Sequence, residues 1–257
     1  MTEATRRKPG TPCWVSLMVH GLDATQEFYG ELFGWDFRPG PQQLGPYVRA
    51  LVDGKEVAGI GQLPADRDLP IAWTTYFASD DADETAESIR CSGGTVAVGP
   101  LDAADAGRLV ICSDPTGAIF GVWQAAAHLG TAVAGAPGTP VWNELQTQET
   151  ESVGKFYRTV FGHEPTPLVT GDDDYVTLHV DGEPVAALHG VGTDLPRDRG
   201  AHWMTWFEVA DTDAAARRIT ELGGQVLRAP YDDAAGRRAT VADPEGAVFT
   251  IVRSDAR

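Results

Sequence analysis

Cysteine is scarce: three in 257 residues, Cys13, Cys91 and Cys112, with no Cys-x-x-Cys among them. An odd count without that spacing argues against a disulfide framework and makes a reducing compartment, the cytoplasm, the expected location. Positive charge is also sparse. Twenty Lys and Arg stand against 37 Asp and Glu, a formal net charge of −17 at pH 7. Nucleic acid and anionic membranes repel such a chain, so neither is an expected partner. No apolar run approaches the about 20 residues that span a bilayer. The opening MTEATRRKPGTPC has basic residues but no apolar stretch, so no secretory leader is expected. Gly-x-Gly-x-x-Gly after a strand, a Walker loop and Gly-x-Ser-x-Gly are all missing, which leaves nucleotide binding and serine hydrolysis unsupported.

What is present is a repeat. Trp14, Phe28, Tyr29, Phe33 and Gly34 recur as Trp142, Phe156, Tyr157, Phe161 and Gly162. Asp53-Gly54 recurs as Asp181-Gly182, Gly93-Gly94 as Gly223-Gly224, and Asp114-Pro115-x-Gly117 as Asp243-Pro244-x-Gly246. Ordered, collinear matches at an offset of 128 that drifts by one or two residues indicate two tandem modules. The expected layout is a loose tail over 1–10, a first module over 11–124, a small-residue linker over 125–139 and a second module over 140–257.

Within a copy, residues 13–20 alternate, Val15, Leu17 and Val19 against Trp14, Ser16, Met18 and His20, which predicts a strand. A helix follows, with Asp23 as its expected N-cap and Gly34 as its stop. Then come strands around 47–53 and 56–62 turned by Asp53-Gly54, a strand in AWTTYFAS, a helix closed by Gly93-Gly94, and a hairpin turned by Asp-Pro-x-Gly. The second copy repeats this order. Half a copy is thus a βαβββ or βαββ unit with one sheet face covered by its helix and one bare. Cys112 is expected as a buried small hydrophobe.

The strand leading into FYGELFGW or FYRTVFGH, the D-x-D-A helix and the closing DPTGAIFGVW or DPEGAVFTIV resemble the vicinal oxygen chelate superfamily, which includes glyoxalase I, bleomycin-resistance proteins and extradiol dioxygenases. The resemblance implies an α+β fold of tandem βαβββ modules forming curved mixed sheets around cups. The tandem form with PCWVSL and PVWNEL is similar to actinobacterial hydroxylase-like or glyoxalase-like members.

In metal-dependent relatives, four cup-facing strand positions carry His, Glu or Gln. By spacing, these positions fall here on Trp14 and Trp142, Thr74 and Met204, Gly121 and Thr250, and near Gly59–Ile60 and Ala186–Leu188. Trp, Met and Gly offer no oxygen or imidazole donor, and a divalent ion needs three or four N, O or S ligands. Neither a metal nor another cofactor is therefore expected, although a displaced site of His202, His189 and Glu144 is the competing arrangement.

The exchange of ligands for aromatic surface suggests a ligand-binding wall of Trp14, Ser16, Met18, Thr74, Tyr76 and Trp123 in one cup, and of Trp142, Gln146, His189, Met204 and Trp206 in the other. Such walls suit an aromatic or hydrophobic small organic molecule. Glu144 and His202 share a strand face with the second wall and are the candidate acid–base pair. The leading expectation is metal-independent isomerase, lyase or hydroxylase-type chemistry. Its alternatives are a non-catalytic drug- or metabolite-binding protein and a metal-dependent glyoxalase or dioxygenase. Intrachain pairing of the modules is favoured, with exchange into a homodimer left open.

Overall fold

The structure, a computed structural model, describes residues 6–41, 45–64, 70–168 and 174–254. The first module runs β1 (Pro12–Val19), α1 (Leu22–Phe33), β2 (Asp36–Pro39), β3 (Tyr47–Val52), β4 (Lys55–Gln62), then β5 (Trp73–Ala78), α2 (Ala82–Cys91), β6 (Thr95–Ala103), β7 (Gly107–Ser113) and β8 (Ile119–Ala125). The second repeats it as β9 (Pro140–Thr147), α3 (Glu151–Phe161), β10 (Glu164–Pro167), β11 (Asp174–Val180), β12 (Glu183–Gly190), β13 (His202–Glu208), α4 (Thr212–Glu221), β14 (Gln225–Asp233), β15 (Gly236–Ala242) and β16 (Val248–Ser254). Each module is thus two βαβββ units.

Each module forms its own eight-stranded mixed sheet, in the order β2-β3-β4-β1-β5-β8-β7-β6 and its repeat β10-β11-β12-β9-β13-β16-β15-β14. The two central strands β1 and β5 are antiparallel, and each runs parallel to the last strand of its own unit, β4 and β8. Each sheet curves around a cup without closing into a barrel.

Four strands were not read from the sequence. β2 and β10 are four residues long and end on Pro. β6 and β14 are edge strands with bulged pairing, mostly exposed on both faces, so they carry no alternating signal. The expected cap also moves. Gly21, not Asp23, precedes α1, and no side chain of the module caps it. Instead the Glu245 carboxylate of the second module accepts from the His20 and Gly21 backbone N–H groups at 2.8 and 2.7 Å, a negative charge at a helix N-terminus. Asp81 and Asp211 do cap α2 and α4. Gly34 and Gly162 end α1 and α3 in the left-handed conformation.

The helix-bearing faces of the two sheets pack together, and the cores cross between modules. One cluster joins Leu17, Tyr29, Ile60 and Trp73 to Phe207, Ile219, Phe249 and Ile251. The other joins Phe77, Ile89 and Phe120 to Leu145, Phe156, Tyr157 and Trp203. Cys112 lies in this second cluster, 1% exposed, with burial pushing its thiol up to about 12.

The repeated Phe-Tyr explains the crossing. Tyr29 Oη donates to Asp243 Oδ2 at 3.0 Å and accepts from Trp73 Nε1 at 3.1 Å. Tyr157 Oη donates to Asp114 Oδ2 at 3.1 Å and accepts from Trp203 Nε1 at 2.9 Å. The first helix of each module, α1 or α3, thereby reaches the Asp-Pro-x-Gly turn of the other. At the centre, Asn143 Oδ1 accepts from Thr75 and Thr205 at 2.8 and 3.1 Å, so the buried amide oxygen is satisfied from both modules.

Candidate functional site

The faces turned away from this core are the cups. Trp14, Ser16 and Met18 on β1 alternate with the core residues Val15, Leu17 and Val19, and Thr74 and Tyr76 alternate with Trp73, Thr75 and Phe77. The first cup is packed by its own side chains. Trp14 Nε1 donates to Tyr47 Oη at 3.1 Å, and Ser16 Oγ donates to Tyr76 Oη at 3.0 Å. The rings lie directly on a floor of glycines: a Cβ at Gly59 would overlap Tyr47, one at Gly61 would meet Met18 Sδ at 2.6 Å, and one at Gly121 would overlap Tyr76.

The segment after β8 seals one end. Its His128 stands edge-on to Trp14 with ring centroids 4.4 Å apart, and its carbonyl accepts from Trp123 Nε1 at 2.9 Å. His128 Nδ1 lies 2.9 Å from Glu56 Oε2, while Arg49 holds Glu56 Oε1 at 2.8 Å. The hydrogen bond from His128, then that from Arg49, outweighs burial and lowers the Glu56 carboxyl to about 2. Trp14, Ser16, Met18, Tyr76 and Trp123 are therefore brought together, but as packing; a crevice of about 10 Å³ beside Cys13 and Trp123 is what lies at that end.

The second cup is open. A cavity of about 760 Å³ is lined at its floor by Glu144, Gln146, His189, His202, Met204 and Thr250, and toward its mouth by Arg199, Arg228, Tyr231 and Arg238. Register explains the contrast. Ser16 pairs with Gly59 and Met18 with Gly61, whereas Glu144 pairs with Ala187 and Gln146 with His189. Tyr76 pairs with Gly121, whereas Trp206 pairs with Thr250. Where the first cup has glycines under rings, the second has side chains that occupy the floor themselves.

At that floor Glu144 is 2% exposed. Tyr175 Oη donates to its Oε2 at 2.9 Å, and the Gln146 amide donates to Oε1. His189 Nδ1 lies 3.3 Å from Glu144 Oε1 and 3.5 Å from the Gln146 nitrogen. The carboxylate, an acceptor only, draws the ring proton to Nδ1 and leaves Nε2 as the acceptor. Burial, then the Glu144 charge, raises the Tyr175 phenol, which stays a donor. His202 on β13 directs Nδ1 to the Gly200 carbonyl at 2.7 Å, and burial lowers its imidazole below the ordinary 6.5. A neutral His202 therefore also keeps Nε2 as its acceptor.

The sequence-derived candidates thus separate. Glu144, Gln146, His189, His202 and Met204 share the cavity. Trp142 and Trp206 stand behind it: Trp142 packs with Trp206 and Met204, and Trp206, 5% exposed, lies under the Arg238 guanidinium. Thr74 is half-buried in the packed first module. Tyr175, Tyr231 and the three arginines were not singled out. The signal for Tyr175 was available, since it repeats Tyr47 at the offset of 128. Glu208, at the end of β13, is 8% exposed and accepts from Ser254 N and Oγ at 2.9 and 2.6 Å.

The donor set does not fit a metal. Among the described residues no three His, Cys, Asp or Glu side chains gather where they could hold an ion. Both Glu144 oxygens are occupied by protein donors, and the ligand positions implied by the resemblance hold Trp142, Met204 and Thr250. Among the described residues no helix is long and apolar enough to cross a membrane.

Comparison with known proteins matches this architecture. The Glyoxalase/Bleomycin resistance protein/Dioxygenase superfamily matches residues 13–122, and the Glyoxalase-like domain matches residues 143–252. The chain is 35% identical over 260 residues to CFP32 of Mycobacterium tuberculosis (strain CDC 1551 / Oshkosh), covering 98% of both chains. It is 36% identical over 267 residues to the anthracycline biosynthesis protein DnrV of Streptomyces peucetius, covering 96% of this chain and 94% of that one. The Mn(II)-bound glyoxalase from Novosphingobium aromaticivorans superposes with a TM-score of 0.65 at 18% identity, over 97% of this chain and 85% of that one. Two matched modules, the sheet order and full-length relatives together make this chain a tandem member of the glyoxalase/bleomycin resistance protein/dioxygenase superfamily.

Proposed function

We propose that the second cup binds a small, planar organic molecule and moves a proton on it, in isomerase- or lyase-type chemistry without a protein-held metal. The observation that carries this reading is the Glu144–His189 pair at the floor of a cavity of about 760 Å³, its carboxylate buried and its imidazole half-buried. That volume is within the about 300–1,000 Å³ of small-molecule sites. The carboxylate fixes the ring and its tautomer, as an orienting acid does in a catalytic triad, and Nε2 takes the proton. Glu144 stabilises the imidazolium that forms. The Tyr175 and Gln146 donors keep Glu144 in place throughout. His202 provides a second neutral acceptor. The kinship with an anthracycline biosynthesis protein supports a polycyclic aromatic as the class to try first.

Native mass spectrometry of freshly purified protein reads out the bound molecule. Calorimetry with 1,8-dihydroxyanthraquinone measures the cup directly. Binding is expected in the wild type and lost in Met204→Trp, which fills the floor. Glu144→Gln is expected to keep affinity within about twofold while turnover of the co-purifying molecule falls about 100-fold or more. Unchanged turnover removes Glu144 from the chemistry. A second reading, sequestration without turnover, is favoured by the full engagement of both Glu144 oxygens by protein groups. In that case the co-purifying molecule is returned unaltered by wild type and variant alike.

A further inference from the structure

A row of side chains climbs from the cup floor to its mouth, alternating ring and guanidinium. The Arg238 guanidinium carbon sits 4.4 Å from the Trp206 ring centroid and 5.2 Å from that of Tyr231. The Arg228 guanidinium carbon sits 3.6 Å from the Tyr231 centroid. Register holds the row together, because Tyr231 on β14 pairs with Arg238 on β15. Stacking on rings pre-orients a guanidinium without using its N–H edge.

The charges around the cavity are unevenly engaged. Of the three carboxylates that line it, Glu144 is held by Tyr175 and Gln146 and Asp174 by the Thr150 hydroxyl and backbone N–H, while Asp194 has no side-chain partner among the described residues. Of its cations, Arg238 has Asp233 at ion-pair distance, 2.5 Å from Nε to Oδ2, though not aligned as a hydrogen bond. Among the described residues, Arg199 has only its neighbour Asp198 at ion-pair distance, at 3.9 Å. No carboxylate among the described residues lies within ion-pair distance of Arg228. A chain of net charge −17 therefore directs under-used guanidinium donors into the mouth of its open cup.

We propose that the second cup selects an aromatic carboxylate, with Arg228 receiving the carboxylate at the mouth and Arg199 assisting. This rests on the reading that the cup holds a small organic molecule, and it adds the charge that the molecule carries. The planar N–H edge of an arginine matches two carboxylate oxygens at once, and one face of the Arg228 plane is left for an aromatic ring. The substrate's ring then extends inward, toward His189 and Glu144.

The test is calorimetry with two probes of one shape, anthraquinone-2-carboxylate and anthraquinone-2-carboxamide, on the full chain. Wild type is expected to bind the carboxylate about three- to tenfold more tightly than the amide, the span expected of an exposed charge-assisted pair. That preference should shrink as salt rises from about 50 to about 500 mM. Arg228→Met, on an exposed strand, should bring the two probes within about twofold, and Arg199→Met should close the remaining gap. Equal binding of both probes by wild type overturns the charge selection and leaves the cup as a neutral aromatic site. A preference that survives both substitutions overturns the assignment to these arginines. If neither probe binds, or if both bind Met204→Trp as well as wild type, the cup reading falls and the charge selection with it.

Discussion

His163 occupies the place that Trp35 takes in the first module, and both do the same work. Trp35 Nε1 donates to the Gly138 carbonyl at 2.7 Å; His163 Nε2 donates to the Gly10 carbonyl at 2.6 Å. His163 is fully buried, and burial lowers its imidazole to about 4 from 6.5. A histidine lowered in the folded state contributes fully above pH 6.5 and loses that contribution as pH falls toward 4. Urea unfolding of wild type should therefore weaken by up to about 3 kcal/mol across that window, at 1.36 kcal/mol per pKa unit. His163→Gln, which keeps a donor but does not titrate, should show a flatter profile there. An equal loss in both proteins would assign the acid sensitivity elsewhere. Gly10 and Gly138 are themselves repeat partners, both at positive φ, 81° and 82°. Strand parity made Glu144 and Gln146 legible on one strand face and His202 and Met204 on another, because two-residue periodicity fixes the face; His189 lay just past the strand near Ala186–Leu188, whose register the sequence left open. It could not show which of two like-walled cups is full, because that depends on the ring rotamers of Tyr47 and Tyr76 over bare glycine.

At the scale of elements, strands that bury one face were readable and those that bury neither were not. β14 lay in the unread category, and with it the Tyr231–Arg228 half of the row at the cavity mouth. The segment over 125–139, expected as a linker of small residues, is bonded along its length. Thr131 N donates to the Cys13 carbonyl at 2.8 Å, Ala132 N to the Glu56 carbonyl at 2.8 Å, and Gly138 N to the Glu208 carbonyl at 2.8 Å. Composition conveyed its lack of periodicity but not its backbone pairing. The packing of the first cup makes a direct prediction. Gly121→Ala places a methyl group into the Tyr76 ring and should cost about 1–3 kcal/mol, as overpacking does. Thermal denaturation should show a lower midpoint. An unchanged midpoint would mean that Tyr76 swings aside and that the first cup is openable.

At the scale of the molecule, neither module owns a complete interior. Tyr29 and Trp73 are closed over by Phe207 and Phe249, and Phe77 and Phe120 by Tyr157 and Trp203. Residues 140–257 made alone should expose the apolar half of both clusters and associate or remain partly unfolded in gel filtration and circular dichroism. The whole chain should unfold in one transition, with tryptophan emission and far-ultraviolet ellipticity tracing the same curve. Two separated steps would show that the modules hold themselves. The duplication was legible from the offset of 128, but the crossing was not, because it rests on tyrosine–aspartate bonds between residues more than 200 positions apart in one case, Tyr29 and Asp243.

The sealed first cup has a consequence for how this protein could change over time. Two identical subunits meeting in the same way would have to alter both hollows with every substitution. Joining them in one polypeptide frees each half to follow its own course, so that one can become ballast for rigidity while its twin is reshaped for chemistry.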